Sequence, residues 1–180
     1  MPPDCGVRAA AETDVSAIQQ IYAHYVRTHT ATFEEEPPSV EAMLGRWREV
    51  RASGLPWLVA ENAGRVVGYG YAGAYRPRRA YRFTCEDSIY IAPEWSGRGI
   101  GSALLGGVIA QCEAGGWREM IAVIGDSANE PSVRLHRRHG FLPVGVFRAV
   151  GFKFGRWLDT VLMQRPLGEG GNTKPREFGS

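Results

Sequence analysis

Three cysteines in 180 residues, Cys5, Cys85 and Cys112, are few and scattered. They show no CxxC spacing, which excludes a cysteine-built metal site and a disulfide framework and implies a reducing compartment. No metal ligand set is expected anywhere in the chain. Uninterrupted apolar runs of membrane-spanning length are missing too, and the N-terminus lacks a signal-peptide pattern. The expectation is therefore a cytoplasmic protein that meets no membrane. Charge of one sign is also scarce: the formal net charge is +2, too small to imply a nucleic-acid partner. There are no internal repeats. What is present is 44% hydrophobic and 22% charged, ordinary for one globular domain with a substantial core.

The most informative stretch is Asp87 to Leu105. Ile89 to Ile91 reads as the end of a strand, and Pro93 stops it because proline cannot donate to a ladder. Gly97, Gly99 and Gly101 then alternate through a tight loop. Beyond them Ile100, Leu104, Val108 and Cys112 recur at helical spacing. Strand, glycine loop and helix together aim backbone N–H groups and a helix N-terminus at one spot, which suits an anion such as a pyrophosphate. A plain strand-to-helix turn is the competing reading. A Walker loop is excluded because no lysine follows the glycines, and a Rossmann fingerprint would need glycine or alanine where Ser102 or Leu104 stands.

In chain order, Val7 to Ala10 reads as a short first strand. Thr13 or Asp14 can cap a helix whose buried face is Val15, Ile18, Ile21, Tyr22, Tyr25 and Val26. Residues 30–38 lack periodicity and close with two prolines, so they form a loop. A second helix buries Val40, Met43, Leu44, Trp47 and Val50. Trp57–Glu61 and Val66–Ala74 make a hairpin, residues 75–80 a loop, and Tyr81–Ile91 a long strand. After the glycine-loop helix come a buried strand at Met120–Ile124, a helix opened by Pro131 and closed by Gly140, and strands at Leu142–Phe152 and Trp157–Gln164. The fold class is α+β: one domain, residues 1–167, of mixed, mainly antiparallel sheet between helices. Residues 168–180 read as a flexible tail.

Ser96 to Gly101 resembles the Gln/Arg-x-x-Gly-x-Gly/Ala loop of the GCN5-related N-acetyltransferases (GNAT), with Ser96 where Gln or Arg is usual. Asn129 to Phe141 resembles that family's Asn-x-x-Ala/Ser-x-x-Leu-Tyr-x-x-x-Gly-Phe, with His136 where tyrosine is commonest. The chain looks closest to the phosphinothricin and methionine sulfoximine acetyltransferases, through Phe33-Glu34-Glu35, Arg76-Pro77-Arg78, Glu86-Asp87-Ser88 and Gly151 to Thr160. This likeness spans about residues 6 to 167 and implies a GNAT-type sheet, acetyl-CoA as co-substrate, and a small amino-acid-like substrate acetylated on its α-amine.

It also implies roles. Glu86 is the base that takes the amine's proton, while Asp87, on the opposite face of the strand, is the weaker candidate. His136 protonates the leaving thiolate, lines the substrate pocket, or is a packed core histidine. The backbone at Ile89, Tyr90 and Ile91 receives the pantetheine like an added strand. Gly97, Arg98, Gly99, Ile100, Gly101, Ser102 and Ala103 hold the pyrophosphate. Asn129 reaches the pantetheine or simply caps a helix. Arg76, Arg78, Arg79 and Arg82 crowd seven residues, and guanidinium forks suit a carboxylate or phosphinate. Arg76, Arg78, Tyr81 and Arg82 are thus candidates for the substrate's acidic end, with Phe33 closing over its side chain and Tyr71 nearby. Phe141, Phe147, Phe152, Phe154 and Trp157 supply more aromatic surface than one small core needs, which suggests a homodimer. Two other readings stand beside this one: a protein N-terminal acetyltransferase, disfavoured by the arginines, and a non-catalytic acyl-CoA-binding module, disfavoured by Glu86.

Overall fold

The computed structural model describes residues 1–2 and 4–177. Its seven strands are β1 (Cys5–Ala9), β2 (Trp57–Asn62), β3 (Arg65–Ala74), β4 (Thr84–Ile91), β5 (Glu119–Gly125), β6 (Leu142–Lys153) and β7 (Arg156–Pro166). They form one sheet in the order β1-β2-β3-β4-β5-β7-β6. Only the β4/β5 pair is parallel. Helices α1 (Val15–Thr28) and α2 (Val40–Ala52) cover one face, while α3 (Ile100–Ala114) and α4 (Glu130–Arg138) cover the other. The mixed, mainly antiparallel α+β architecture expected from the sequence is the one observed.

Both faces of the central strands are covered, so β2 buries Leu58 and Ala60 under α3 and Trp57 and Val59 under α1 and α2. That explains its continuous apolar run. Helix α3 is buried at Ile100, Leu104, Leu105, Val108, Ile109 and Cys112. It is the most apolar helix of the chain because it lies along the middle of the sheet.

Several boundaries differ from the sequence reading. β1 starts at Cys5 and ends at Ala9. β4 starts at Thr84, because Arg79–Tyr81 winds into a 3-10 turn in which Arg82 N donates to Arg79 O at 3.1 Å. Asp14 precedes α1 without capping it through its side chain. Its carboxylate instead accepts from Arg8 at 2.7 and 2.9 Å and from Ala11 N at 2.8 Å. The segment read as a loose tail makes contacts as far as it is described. Gly170 is buried, Arg118 Nε donates to Gly170 O at 2.8 Å, and Arg82 Nε donates to Glu177 at 3.1 Å. Residues 178–180 lie outside the described residues.

Two departures from regularity matter for function. β4 pairs with β5 only from Thr84 to Glu86, opposite Glu119 to Ile121. Beyond that point β4 stays with β3 as far as Ile91, and β5 stays with β7 as far as Gly125. The sheet therefore opens into a wedge at its centre. The second departure is the edge strand β6, whose Leu142, Val144, Phe147, Val150 and Phe152 are all exposed, together with Phe154 and Trp157 beyond it. Phe141, expected in that aromatic surface, is instead a core residue at 1% exposure.

Candidate active site

The wedge is a cleft of about 500 Å³, walled by β4 from Asp87 to Ile91, by β5 from Ala122 to Gly125, and by the glycine loop and α4. Backbone polarity follows from register. Tyr75 N donates to Thr84 O and Ala92 N donates to Val67 O. With alternation along an antiparallel pair, the even-numbered residues of β4 spend their backbone groups on β3. Those of Asp87, Ile89 and Ile91 face the gap. Tyr25 Oη donates to Ile91 O at 2.7 Å and takes up one of these acceptors. This corrects one expectation: Tyr90 lines the cleft, but its backbone belongs to β3, and Asp87 takes its place in the row of Ile89 and Ile91.

At the open end of that row, beyond Ile91, lies the glycine loop. Gly97 and Gly99 sit at φ of 76° and 80°, a region costly for side-chain-bearing residues. Gly99 is also the N-cap of α3 and offers no side-chain oxygen. The N–H groups of the first helical turn are therefore left for an external anion. Gly97, Gly99, Gly101 and Ser102 all line the cleft, and Ser102 Oγ lies 2.8 Å from His139 Nε2. Arg98 turns its guanidinium onto the Trp95 ring, 4.8 Å from the centroid. Ile100 is buried in the core and Ala103 half-buried, so these two can offer only main-chain groups. An extended chain ending in a diphosphate fits this row of donors and acceptors.

Glu86 and Asp87 are adjacent and face opposite sides of the sheet. Glu86 lies on the α1–α2 side and is half-buried. Burial first, and then the Asp87 charge, push its carboxyl up to about 7, with Arg76 pulling the other way. Tyr71 stands near it, stacked on Trp57 at 4.1 Å between centroids. Burial raises this phenol, so it remains a neutral hydrogen-bond donor. Arg76 lies over Tyr75 and Tyr81, 5.1 and 5.9 Å from the ring centres. Arg78 is exposed. Arg82 does not join them: its guanidinium is spent on Glu177 and on the Phe83 ring at 4.5 Å. Phe33 rests its ring against Gly151 and Gly125.

On the other side of the sheet, Asp87 and His136 form a buried pair. His136 Nε2 is 3.0 Å from Asp87 Oδ2, and Nδ1 is 2.7 Å from Ser132 O. A carbonyl oxygen only accepts, so Nδ1 carries a hydrogen. Burial opposes charge on the ring, but the Asp87 carboxylate outweighs it and raises the His136 pKa. Both ring nitrogens are thus engaged, and the Asp87 carboxylate favours the charged form of the ring. His136 and Asp87 both line the cleft. Asp87 Oδ1 is buried with no hydrogen-bond partner among the described residues. Asn129 caps α4, its Oδ1 accepting from Ser132 N at 3.4 Å, while also lining the cleft.

Strand alternation placed Asp87 opposite Glu86 correctly, but it carried no sign that α4 brings His136 there. The signal that was available is the carboxylate–histidine combination itself. No group of three or more His, Cys, Asp or Glu able to hold a metal occurs among the described residues.

The family model described as Acetyltransferase (GNAT) family matches residues 18–141. A phosphinothricin N-acetyltransferase of Alcaligenes faecalis is 56% identical over 171 residues, covering 95% of this chain and 87% of the relative. An L-methionine sulfoximine/L-methionine sulfone acetyltransferase of Pseudomonas aeruginosa is 41% identical, covering 89% and 94%. Among solved structures, a GNAT superfamily phosphinothricin acetyltransferase from Sinorhizobium meliloti in complex with AcCoA superposes with a TM-score of 0.94. It is 49% identical, covering 97% of this chain and 94% of that one.

Proposed function

The chain belongs to the acetyltransferase (GNAT) family, and from that premise we propose that it acetylates the α-amine of a small amino acid of the phosphinothricin or methionine sulfoximine kind, with Glu86 as base. It is an acetyl-CoA-dependent N-acetyltransferase. When bound, acetyl-CoA supplies an activated acetyl group, and the backbone of Asp87, Ile89 and Ile91 with the loop Gly97 to Ser102 is the cradle that fits it. The observation that carries the substrate reading is the pairing of a carboxyl poised near neutrality with an arginine beside it, Glu86 and Arg76.

Glu86 takes one proton from the substrate's ammonium group and so frees the nitrogen lone pair to attack the thioester carbonyl. As the C–N bond forms and the C–S bond breaks, a second N–H proton of the substrate passes to sulfur. The sulfur's proton is assigned to the substrate because both ring nitrogens of His136 are engaged. His136 instead holds Asp87, and through it the open edge of β4. Arg76 and Arg78 take the substrate's acidic end, with Tyr71 and Tyr81 beside them.

The exposed apolar row on β6 and β7 supports a homodimer through that edge. The three cysteines are free and buried, which suits a cytoplasmic setting, and no helix among the described residues is long and apolar enough to cross a membrane. The deciding experiment measures thiol release from acetyl-CoA against a panel of amino acids, their amides and short peptides. Turnover with free amino acids is expected. A preference for peptides supports N-terminal protein acetylation, and no turnover with any amine means a binding module.

A further inference from the structure

Lys153, at the end of β6, is 2% exposed. Its ammonium donates to two backbone carbonyls of the α1–α2 loop, His29 O at 3.0 Å and Thr32 O at 2.9 Å. Of 21 lysines and arginines only Lys153 and Lys174 are lysine, so a lysine here stands out from the chain's habit of using arginine. A compact three-donor ammonium fits between two carbonyls where a planar fork does not. Burying a cation is costly unless its donors are satisfied, and here they are spent on main-chain oxygens of an otherwise irregular loop. Burial lowers the Lys153 pKa while Glu35 and Glu34 oppose that change.

Two further contacts fasten the same loop to the C-terminal half of the chain. Thr30 Oγ1 donates to Asp126 Oδ2 at 2.9 Å, and Asp126 also accepts from Arg156. The Phe33 ring occupies the space over Gly151, where an added Cβ would come within 2.3 Å of it. Ala31, in the middle of the loop, lines the cleft.

We infer that Lys153 is a positioning residue for the acceptor substrate. It pins residues 29–33 against the β6–β7 hairpin so that Phe33, seated on Gly151, forms a fixed wall of the acceptor site. The inference rests on the amino-acid acetyltransferase reading above and adds to it the group that orders its substrate-side loop. The glycine loop lies elsewhere, and Ala31 is where the clamped loop meets the acetyl-CoA cleft, so the clamp acts mainly on the acceptor side.

Lys153→Met keeps the aliphatic stem and removes the donors. The Michaelis constant for the amino-acid acceptor should rise about tenfold or more, the size expected for losing a charge-assisted contact. That for acetyl-CoA should change much less, and deuterium uptake at residues 29–33 should quicken. A fall in melting temperature with the ratio of the two Michaelis constants unaltered is what a purely structural lysine gives, and it overturns the inference. Gly151→Ala approaches the same wall without touching Lys153 and decides the matter if Lys153→Met does not fold. The new methyl should displace Phe33 and raise the acceptor constant, and Phe33→Leu in that background should recover part of the loss. Purely additive losses overturn the inference. If the wild-type protein acetylates no amino acid, the functional reading fails by itself. Exchange at residues 29–33 in Lys153→Met then still decides the clamp, and unchanged uptake rejects it.

Discussion

Replacing Glu86 by glutamine should cost activity and add stability, with the two effects sharing one pH dependence. The carboxyl is moved from its usual 4.5 to about 7 in the folded protein, mainly by burial. The folded pKa lies above the unfolded one, so between those values the folded chain holds a proton that the unfolded chain has released. Wild-type stability therefore falls as pH rises from 4.5 to about 7 and levels off above that. At 1.36 kcal/mol per decade in acidity the ceiling is roughly 3 kcal/mol, and Glu86 is half-buried, so screening reduces it to about 1–2 kcal/mol. Glutamine has nothing to ionise. Glu86→Gln should thus match the wild type near pH 4.5 and exceed it by that margin at pH 8, as read by urea unfolding at each pH. Turnover at pH 8 should drop by about 10²–10⁴, the usual contribution of a positioned base. The wild-type rate should fall tenfold per pH unit below about 7. A Gln variant of undiminished rate at pH 8 removes Glu86 from the chemistry. One whose stability advantage is the same at pH 5 and pH 8 refutes the burial argument.

Arg76→Ala should raise the Michaelis constant for a substrate with a free carboxylate about tenfold or more and hardly alter that for its amide, since about 1.5–3 kcal/mol of charge-assisted bonding is lost. Equal losses for acid and amide in steady-state kinetics rule out the clamp. The same variant should move the acid limb of the rate profile upward, because Arg76 holds the Glu86 pKa down. Asp87→Asn leaves a buried imidazole without its counter-charge and should destabilise the fold by about 3–5 kcal/mol near pH 6. The contribution of the pair is fully present below the unfolded His value of 6.5 and is lost as pH rises through the raised folded value. A pH-independent loss in denaturant melts contradicts that assignment. A homodimer mass by light scattering at micromolar concentration is expected for the wild type and a monomer for Phe152→Asp with Trp157→Ser. A wild-type monomer ends the β6 interface proposal.

Much of this protein is legible along the chain. The glycines at 97 and 99 announce a loop at positive φ, and the apolar period after them announces α3, which already includes Gly101, because turn chemistry and helical spacing are local properties. Alternation along β4 fixes that Glu86 and Asp87 look in opposite directions whatever the rest of the chain does.

Tertiary structure decided what those directions mean. The parting of β4 from β5 after Glu86 arises between strands separated by a whole helix, and it leaves the ladder groups of Asp87, Ile89 and Ile91 facing a cleft instead of a neighbouring strand. Asp87 became half of an ion pair only because α4 delivers His136 from 49 positions away. Arg82 left the arginine cluster because the C-terminal segment returns to place Glu177 beside it. Lys153 gives no sign in sequence of holding His29 and Thr32, residues 124 and 121 positions earlier. Local periodicity assigns elements and faces. Which charged groups meet across those faces depends on how distant segments pack, and no window of sequence contains that information.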